Sequence, residues 1–162
     1  MDIREATEDD ISTIRSVARE SWKRAYADAV PESVIDDAVS EWYAEETMTR
    51  IIGDDEQVCL VAVDDDGAVI GFSHGATDNG DGDVLRLYVH PDRWNEGIGT
   101  DLLAAMEERL REMGAERMQA MVLADNEMGN AFYESHGFEK TGEAETQLDG
   151  TTRTENVYAR AA

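Results

Sequence analysis

Val84-Leu-Arg-Leu-Tyr-Val-His-Pro-Asp-Arg-Trp-Asn-Glu-Gly-Ile-Gly-Thr-Asp-Leu-Leu103 reads as a strand handed to a helix through a glycine-bearing turn. Leu85, Leu87 and Val89 alternate with Arg86, Tyr88 and His90, which places the two sets on opposite faces of a strand. Pro91 ends it. From Gly97 onward Ile98, Leu102, Leu103, Met106, Leu110 and Met113 recur at helical spacing. A helix N-terminus leaves N–H groups unpaired and carries roughly half a positive charge. Glycine has no Cβ and lets an anion approach the backbone. The segment from about Asn95 to Thr100 is therefore a candidate anion site made of peptide donors, with no need of lysine or arginine. It is no P-loop, because the G-x-x-x-x-G-K-[ST] pattern is absent. It is no dinucleotide turn either, because Leu102 stands where a third glycine is required.

On the N-terminal side, Ile3 opens a short strand and Thr7 caps a helix start with acids in its first turn. Ile11, Ile14, Val17, Ala18 and Trp22 follow at helical spacing. Asp28-Ala-Val-Pro31 breaks that helix. One further helical stretch is expected through Val34, Ile35, Val39, Trp42 and Tyr43 to Ile51 and Ile52. Gln57 to Val63 and Ala68 to Ala76 read as paired strands around Asp64-Asp65-Asp66-Gly67. Thr77 to Asp83 reads as a loop. On the C-terminal side Gly114 stops the long helix. Met118 to Leu123 is a strand and Met128 to Ser135 a short helix closed by His136-Gly137. Phe138 to Thr146 and Thr152 to Arg160 form an antiparallel pair around Asp149-Gly150. The order predicts a mixed α/β domain with a largely antiparallel sheet and one right-handed parallel crossover from Val84 to Leu123.

The chain has 162 residues, which suits one domain. Asp and Glu outnumber Lys and Arg, 37 to 14, for a net charge of -23. Nucleic acid and anionic membrane surfaces are poor partners for such a surface. Hydrophobic residues make up 41% at regular spacing, which argues against disorder. Self-repulsion of this size destabilises a compact state, and molar salt screens it over about 3 Å. A halophilic, salt-requiring protein is expected. The N-terminus lacks a basic region followed by an apolar one, and no apolar run spans a membrane, so a cytoplasmic location is expected. Cys59, the single cysteine, lies in the apolar run Val58-Cys59-Leu60-Val61 and reads as a buried hydrophobe. No Cys/His cluster has metal spacing, so no metal is expected.

Three stretches together resemble the GNAT family of N-acetyltransferases. Trp94-Asn95-Glu96-Gly97-Ile98-Gly99 is similar to the family's [Q/R]-x-x-G-x-[G/A] at a helix start. Asp125-Asn126 followed by Asn130-Ala131-Phe132-Tyr133-Glu134-Ser135-His136-Gly137-Phe138 is similar to its D-N-x-x-x-x-x-x-F-Y-x-x-x-G-F stretch. Ile3-Arg4-Glu5-Ala6-Thr7-Glu8-Asp9-Asp10-Ile11 resembles its usual opening. The resemblance runs from Ile3 to about Val157. It implies a GNAT fold over residues 1–162 as one domain, with a mostly antiparallel sheet of six to seven strands flanked by about four helices. It also implies acetyl-CoA as co-substrate and direct attack by an amine in a ternary complex.

Carried over by resemblance, Leu87, Tyr88 and Val89 hold the pantetheine arm where two strands splay, with the Val89 amide facing the thioester oxygen. Asn95, Glu96, Gly97, Ile98, Gly99 and Thr100 hold the pyrophosphate by their amides, with the Thr100 hydroxyl as an added donor. Trp94 replaces the usual glutamine or arginine, and Glu96 a common basic residue. Glu96 repels phosphate unless it turns to solvent, and solvent is where it is expected. Asn126 is either a cofactor contact or a helix cap. Tyr133 matches the tyrosine that protonates the departing thiolate, its alternative being an aromatic packing residue. Many relatives carry a basic glutamate on the fourth strand. The nearby position here is Arg86, which cannot accept a proton, so the general base is left open.

The acceptor implied is a small-molecule amine or a protein amino group. Trp22, Tyr26, Trp42 and Tyr43 are either core or the acceptor wall. An acyl-CoA-binding domain without turnover is the competing reading, and the family's habits allow a homodimer.

Overall fold

The computed structural model describes residues 1–26, 30–148 and 151–162. Asp28 and Ala29 of the expected first helix break, and the expected Asp149-Gly150 turn, lie outside the described residues. The chain runs β1 (Asp2–Glu5), a 3-10 turn (Glu8–Asp10), α1 (Ile11–Ala25), α2 (Glu32–Trp42), α3 (Glu45–Ile52), β2 (Gln57–Val63), β3 (Val69–Asp78) and β4 (Asp81–Val89). A second 3-10 turn (Pro91–Arg93) leads to α4 (Ile98–Glu112), β5 (Arg117–Leu123), α5 (Glu127–Ser135), β6 (Glu139–Leu148) and β7 (Thr151–Ala161). The strands form one seven-stranded sheet in the order β1-β2-β3-β4-β5-β7-β6. Every neighbouring pair is antiparallel except β4–β5.

Two cores lie on the two faces. One joins α1, α2 and α3 to the sheet through Ile14, Trp22, Ile35, Tyr43, Met48 and Phe72. The other joins α4 and α5 through Leu102, Met106, Leu110, Met118, Tyr133 and Tyr158. The α4 stripe read from the sequence is the inner face of that helix, since Ile98, Leu102, Leu103, Met106 and Leu110 are all buried. Each such side chain contributes roughly 1.5–3 kcal/mol on full burial. Gly75 on β3 lets α4 lie close to the sheet, because a Cβ there would stand 2.6 Å from Met106 Sδ. Cys59 is buried in the first core, and burial pushes its thiol up to about 12.

Four local expectations are corrected. The helical stretch after Pro31 is two helices, giving five among the described residues, because Arg86 Nη2 donates to the Trp42 carbonyl at 2.9 Å and closes α2 from a distant strand. The expected Thr77–Asp83 loop is a tight hairpin: Asn79 and Gly80 both take positive φ (49° and 88°), which a two-residue turn requires. Thr7 is the cap as expected, with Glu8, Asp9 and Asp10 in the first turn, but what it opens is a 3-10 turn before α1, in which the Asp10 carboxylate accepts the Thr7 N–H at 2.8 Å. Leu85 does not share the face of Leu87 and Val89. The β3–β4 register shifts so that His74 pairs Arg86 while Gly75 pairs Val84, and Leu85 is the extra residue of a bulge. Val84 thereby joins Leu87 and Val89 on the α4 side.

Candidate functional site

The parallel β4–β5 pairing covers only Asp81–Val84 against Arg117–Ala120. Beyond it the strands diverge, and a cleft of about 430 Å³ opens between them. Leu85, Met121 and Met128 line it at 51%, 52% and 48% exposure. They are the exposed large hydrophobic residues among those described, apart from Met1. Apolar surface left in water inside a concavity marks a ligand wall.

The backbone of β4 sorts its own residues. The His90 N–H donates to the Ile70 carbonyl on β3 at 2.8 Å. Strand alternation then turns the N–H and C=O of Val89 and Leu87 toward the cleft, and those of Tyr88 toward β3. The Val89 carbonyl accepts Ser21 Oγ at 2.7 Å and Trp94 Nε1 at 2.8 Å. Leu87 and Val89 thus present backbone to the cleft as expected. Tyr88 does not, and only its side chain lines the cleft, among Trp22, Tyr43 and Phe72.

At the far end, Gly97 (φ 80°) caps α4 and Asn95 (φ 66°) also takes a left-handed conformation. Among the described residues, no protein acceptor takes the backbone N–H of Asn95, Glu96, Gly97, Ile98, Gly99 or Thr100. The helix dipole adds to these donors. A Cβ at residue 99 would stand 3.2 Å from the Phe132 ring, so glycine lets the head of α4 pack closely against α5. Glu96 turns away from the cleft onto Arg93, with both carboxylate oxygens 3.1 Å from Nε. Thr100 Oγ1 lies 3.0 Å from His136 Nε2, and His136 Nδ1 lies 2.8 Å from the Phe132 carbonyl. A carbonyl only accepts, so Nδ1 carries the ring proton and Nε2 takes the Thr100 hydroxyl proton. That hydroxyl is committed to His136 in the neutral ring, a role the sequence does not reveal.

Tyr133 reaches the cleft from α5 and is 7% exposed. Burial pushes its phenol above its ordinary value, with a smaller push from Tyr88, so it holds its proton throughout the neutral range. Among the described residues nothing hydrogen-bonds its hydroxyl, which leaves it free to donate. Asn126 caps α5 through Oδ1, which accepts the Gly129 N–H at 2.9 Å. It also lines the cleft. The two readings of this residue are compatible.

Several contributors were not legible in the sequence. Ser21 and Trp94 hold the Val89 carbonyl from elements that the sequence does not place together. Glu155, on β7, is the single carboxylate lining the cleft among the described residues. Trp22, Tyr26, Trp42 and Tyr43 are both core and wall, clustered with ring centroids 4.9–5.4 Å apart for Trp22 with Tyr26 and Trp42. Arg86 lies over the Tyr43 ring at 4.5 Å. His74 is buried against Gln57, its Nε2 2.6 Å from Oε1, and burial pushes it down to about 4, with Arg86 adding to the effect. His90 caps its own turn by accepting the Asp92 N–H. Among the described residues no cluster of His, Cys, Asp or Glu is placed to hold a metal, and no helix is long and apolar enough to cross a membrane.

The acetyltransferase (GNAT) family model matches residues 15–138. A spermidine N(1)-acetyltransferase of Thermoplasma acidophilum is 29% identical over 141 residues, covering 85% of this chain and 88% of the relative. A mycothiol acetyltransferase of Clavibacter sepedonicus is 35% identical over 105 residues, which span 64% of this chain and 31% of that protein. The crystal structure of PaiA N-acetyltransferase from Thermoplasma acidophilum in complex with coenzyme A superposes with a TM-score of 0.87 at 27% identity, covering 99% of this chain and 98% of that one.

Proposed function

Because the chain belongs to the acetyltransferase (GNAT) family, we propose that its cleft binds acetyl-CoA and passes the acetyl group to a primary amine by direct attack. The observation that carries this reading is the pairing of two features in one cleft. Cleft-facing backbone of Leu87 and Val89 lies at one end, and unpartnered amides from Asn95 to Thr100 lie at the other. Diphosphate, a pantetheine arm and a thioester match that sequence of donors in order.

Acetyl-CoA supplies an activated acyl carbon and a thiolate leaving group. The protein supplies position and protons. The amides at the head of α4 fix the diphosphate. The Val89 N–H donates to the carbonyl oxygen as negative charge develops there, which is worth about 3–4 kcal/mol where such donors have been removed. Tyr133 gives its proton to the departing sulfur. In this reading residues 1–162 act as one catalytic domain, in the cytoplasm of a halophile, with no role for nucleic acid or membrane.

The spermidine relative supports a polyamine as the first acceptor to try, and a protein amino group as the second. Thermal shift with coenzyme A in molar KCl tests binding, because a ligand at 100 times its dissociation constant adds about 2.7 kcal/mol. Thiol release from acetyl-CoA with spermidine tests turnover. A shift without turnover over a panel of primary amines would favour the binding-module reading, and no shift would remove the proposal altogether.

A further inference from the structure

We infer that Glu155 is the group that receives the proton of the acceptor ammonium, so that the acid and base of this reaction reach the cleft from opposite faces of the sheet. This rests on the acetyltransferase reading of the same cleft. Glu155 lies on β7, paired with Leu123 of β5 and Ala144 of β6. Leu123 is the last residue of β5 and belongs to the core under α1. The neighbours Asn156 and Tyr158 turn the other way, to Asn130 of α5 and the core under α4. Alternation therefore puts Glu155 on the α1 face. Tyr133 belongs to the α4 face. Both line the same cleft because β4 and β5 have parted there.

The surroundings suit a cation. Trp22, Tyr26, Trp42 and Tyr88 form the wall on the Glu155 side. Aromatic faces attract an ammonium and do not neutralise the carboxylate. The charged and titratable groups near Glu155 are few. Tyr26 comes from α1 and Tyr88 from β4, both with phenols pushed up by burial. Asp125, before α5, is paired with Arg153 at 3.1 Å and so is occupied. From β6 the facing residues are Ala144 and Thr146, without charge. Glu155 is half-buried, and burial alone pushes its carboxyl above the ordinary value. That displacement carries it toward the amine and makes it a better proton acceptor. No lysine or arginine bonds to it among the described residues, and the arginines that line the cleft are engaged elsewhere, Arg86 on the Trp42 carbonyl and Arg93 on Glu96 and Asp64.

The proton account closes. The ammonium gives one proton to Glu155, and the freed lone pair forms the new C–N bond to the thioester carbon. The C–S bond breaks, and sulfur takes the Tyr133 proton. The surplus proton on the new amide nitrogen restores Tyr133, and Glu155 releases its own to water. One proton leaves per turnover.

The test is Glu155→Gln, with spermidine as acceptor and kcat/KM followed from pH 6 to 10. The expected result is a loss of about 30-fold or more at pH 7 that shrinks steadily toward pH 10, where free amine is abundant and needs no base. Glu155→Asp should show a smaller loss with the same pH trend. A deficit constant across pH, an increase in KM with kcat unchanged, or full activity would each overturn the assignment. Thermal shift with coenzyme A should be equal in wild type and Glu155→Gln. Loss of that shift in the wild type would sink the acetyltransferase reading itself, whereas an intact shift with parallel pH profiles would sink only the role of Glu155.

Discussion

Trp94 Nε1 and the Val89 carbonyl oxygen meet at 2.8 Å across the turn that separates β4 from α4. The bond ties the strand that borders the cleft to the turn that opens α4. Ser21 Oγ adds a second donor from α1 at 2.7 Å. The two fix the Val89 carbonyl, and with it the rest of the cleft-facing backbone of that residue. Trp94 occupies the position where the family places glutamine or arginine, and its indole N–H does polar work there.

Removing these donors should affect rate more than fold. Ser21→Ala leaves Trp94 on the carbonyl, so stability should fall by about 0.5–1.5 kcal/mol. Ser21→Ala with Trp94→Phe leaves the oxygen unpaired, and kcat at saturating acetyl-CoA should fall about tenfold or more relative to either single variant. Steady-state kinetics with melting curves checks both. Additive, small effects on kcat would show that the Val89 peptide needs no such fixing.

Tyr133→Phe removes a hydroxyl that no protein group uses among the described residues. The variant should fold with unchanged stability and bind coenzyme A as the wild type does. Its kcat should fall by about 10²–10⁴, the range for a positioned acid. Unchanged kcat with acetyl-CoA saturating would return Tyr133 to a packing role.

Thr100→Val tests whether the amides hold the diphosphate unaided. The Thr100 hydroxyl proton is directed to His136 Nε2, so its loss should change coenzyme A affinity by less than about threefold by calorimetry. Loss beyond about tenfold would mean that the hydroxyl turns to the ligand and that the peptide cradle alone is insufficient.

The first loop holds an acid-sensitive contact. Asp10 is buried and accepts Arg4 Nη1 at 2.8 Å, Arg4 Nη2 at 3.0 Å and the Thr7 N–H at 2.8 Å. The Arg4 bond first, then the Thr7 contacts, hold its carboxyl below its ordinary value of 3.8, against the opposing effect of burial. A depressed folded value means that its contribution is complete above 3.8 and is lost as pH falls below it. Asp10→Asn should therefore cost about 1–3 kcal/mol at pH 7, and the penalty should shrink below pH 4. Denaturant titration at the two pH values reads the difference.

Salt should act on the whole surface. With a net charge of -23, the melting temperature should rise by about 10 °C or more between 0.1 and 2 M KCl as repulsion is screened. A flat or falling melting curve would remove the halophilic reading.

What could be read along the chain was local chemistry. Pro91, Gly97 and Gly114 mark their element ends by what they lack, an N–H or a Cβ, and the α4 stripe announces its buried face by spacing alone. The unpartnered amides at Asn95–Thr100 follow from the same local facts. The family motifs single out Tyr133 and Asn126, and both line the cleft. The rest depended on contacts between distant residues. Arg86 closes α2 from β4, and no proline or glycine near Trp42 signals it. The Leu85 bulge exists only in the pairing with β3, and it overturned a face assignment made by simple alternation. Asn79-Gly80 is a local hairpin signal that was absorbed into a longer loop. Glu155 is one acid among many in the sequence, and only the divergence of β4 from β5 singles it out.

That divergence also bears on how the cell would keep this protein. The sheet is bridged at its middle by four residue pairs, Asp81–Val84 against Arg117–Ala120. Two half-sheets hinged there expose unpaired main chain to proteases whenever they breathe. A ligand lying along the gap, as the proposed function has it, would serve as the missing strand and close that seam. Ligand-free protein should then be cut by a protease faster than protein saturated with coenzyme A.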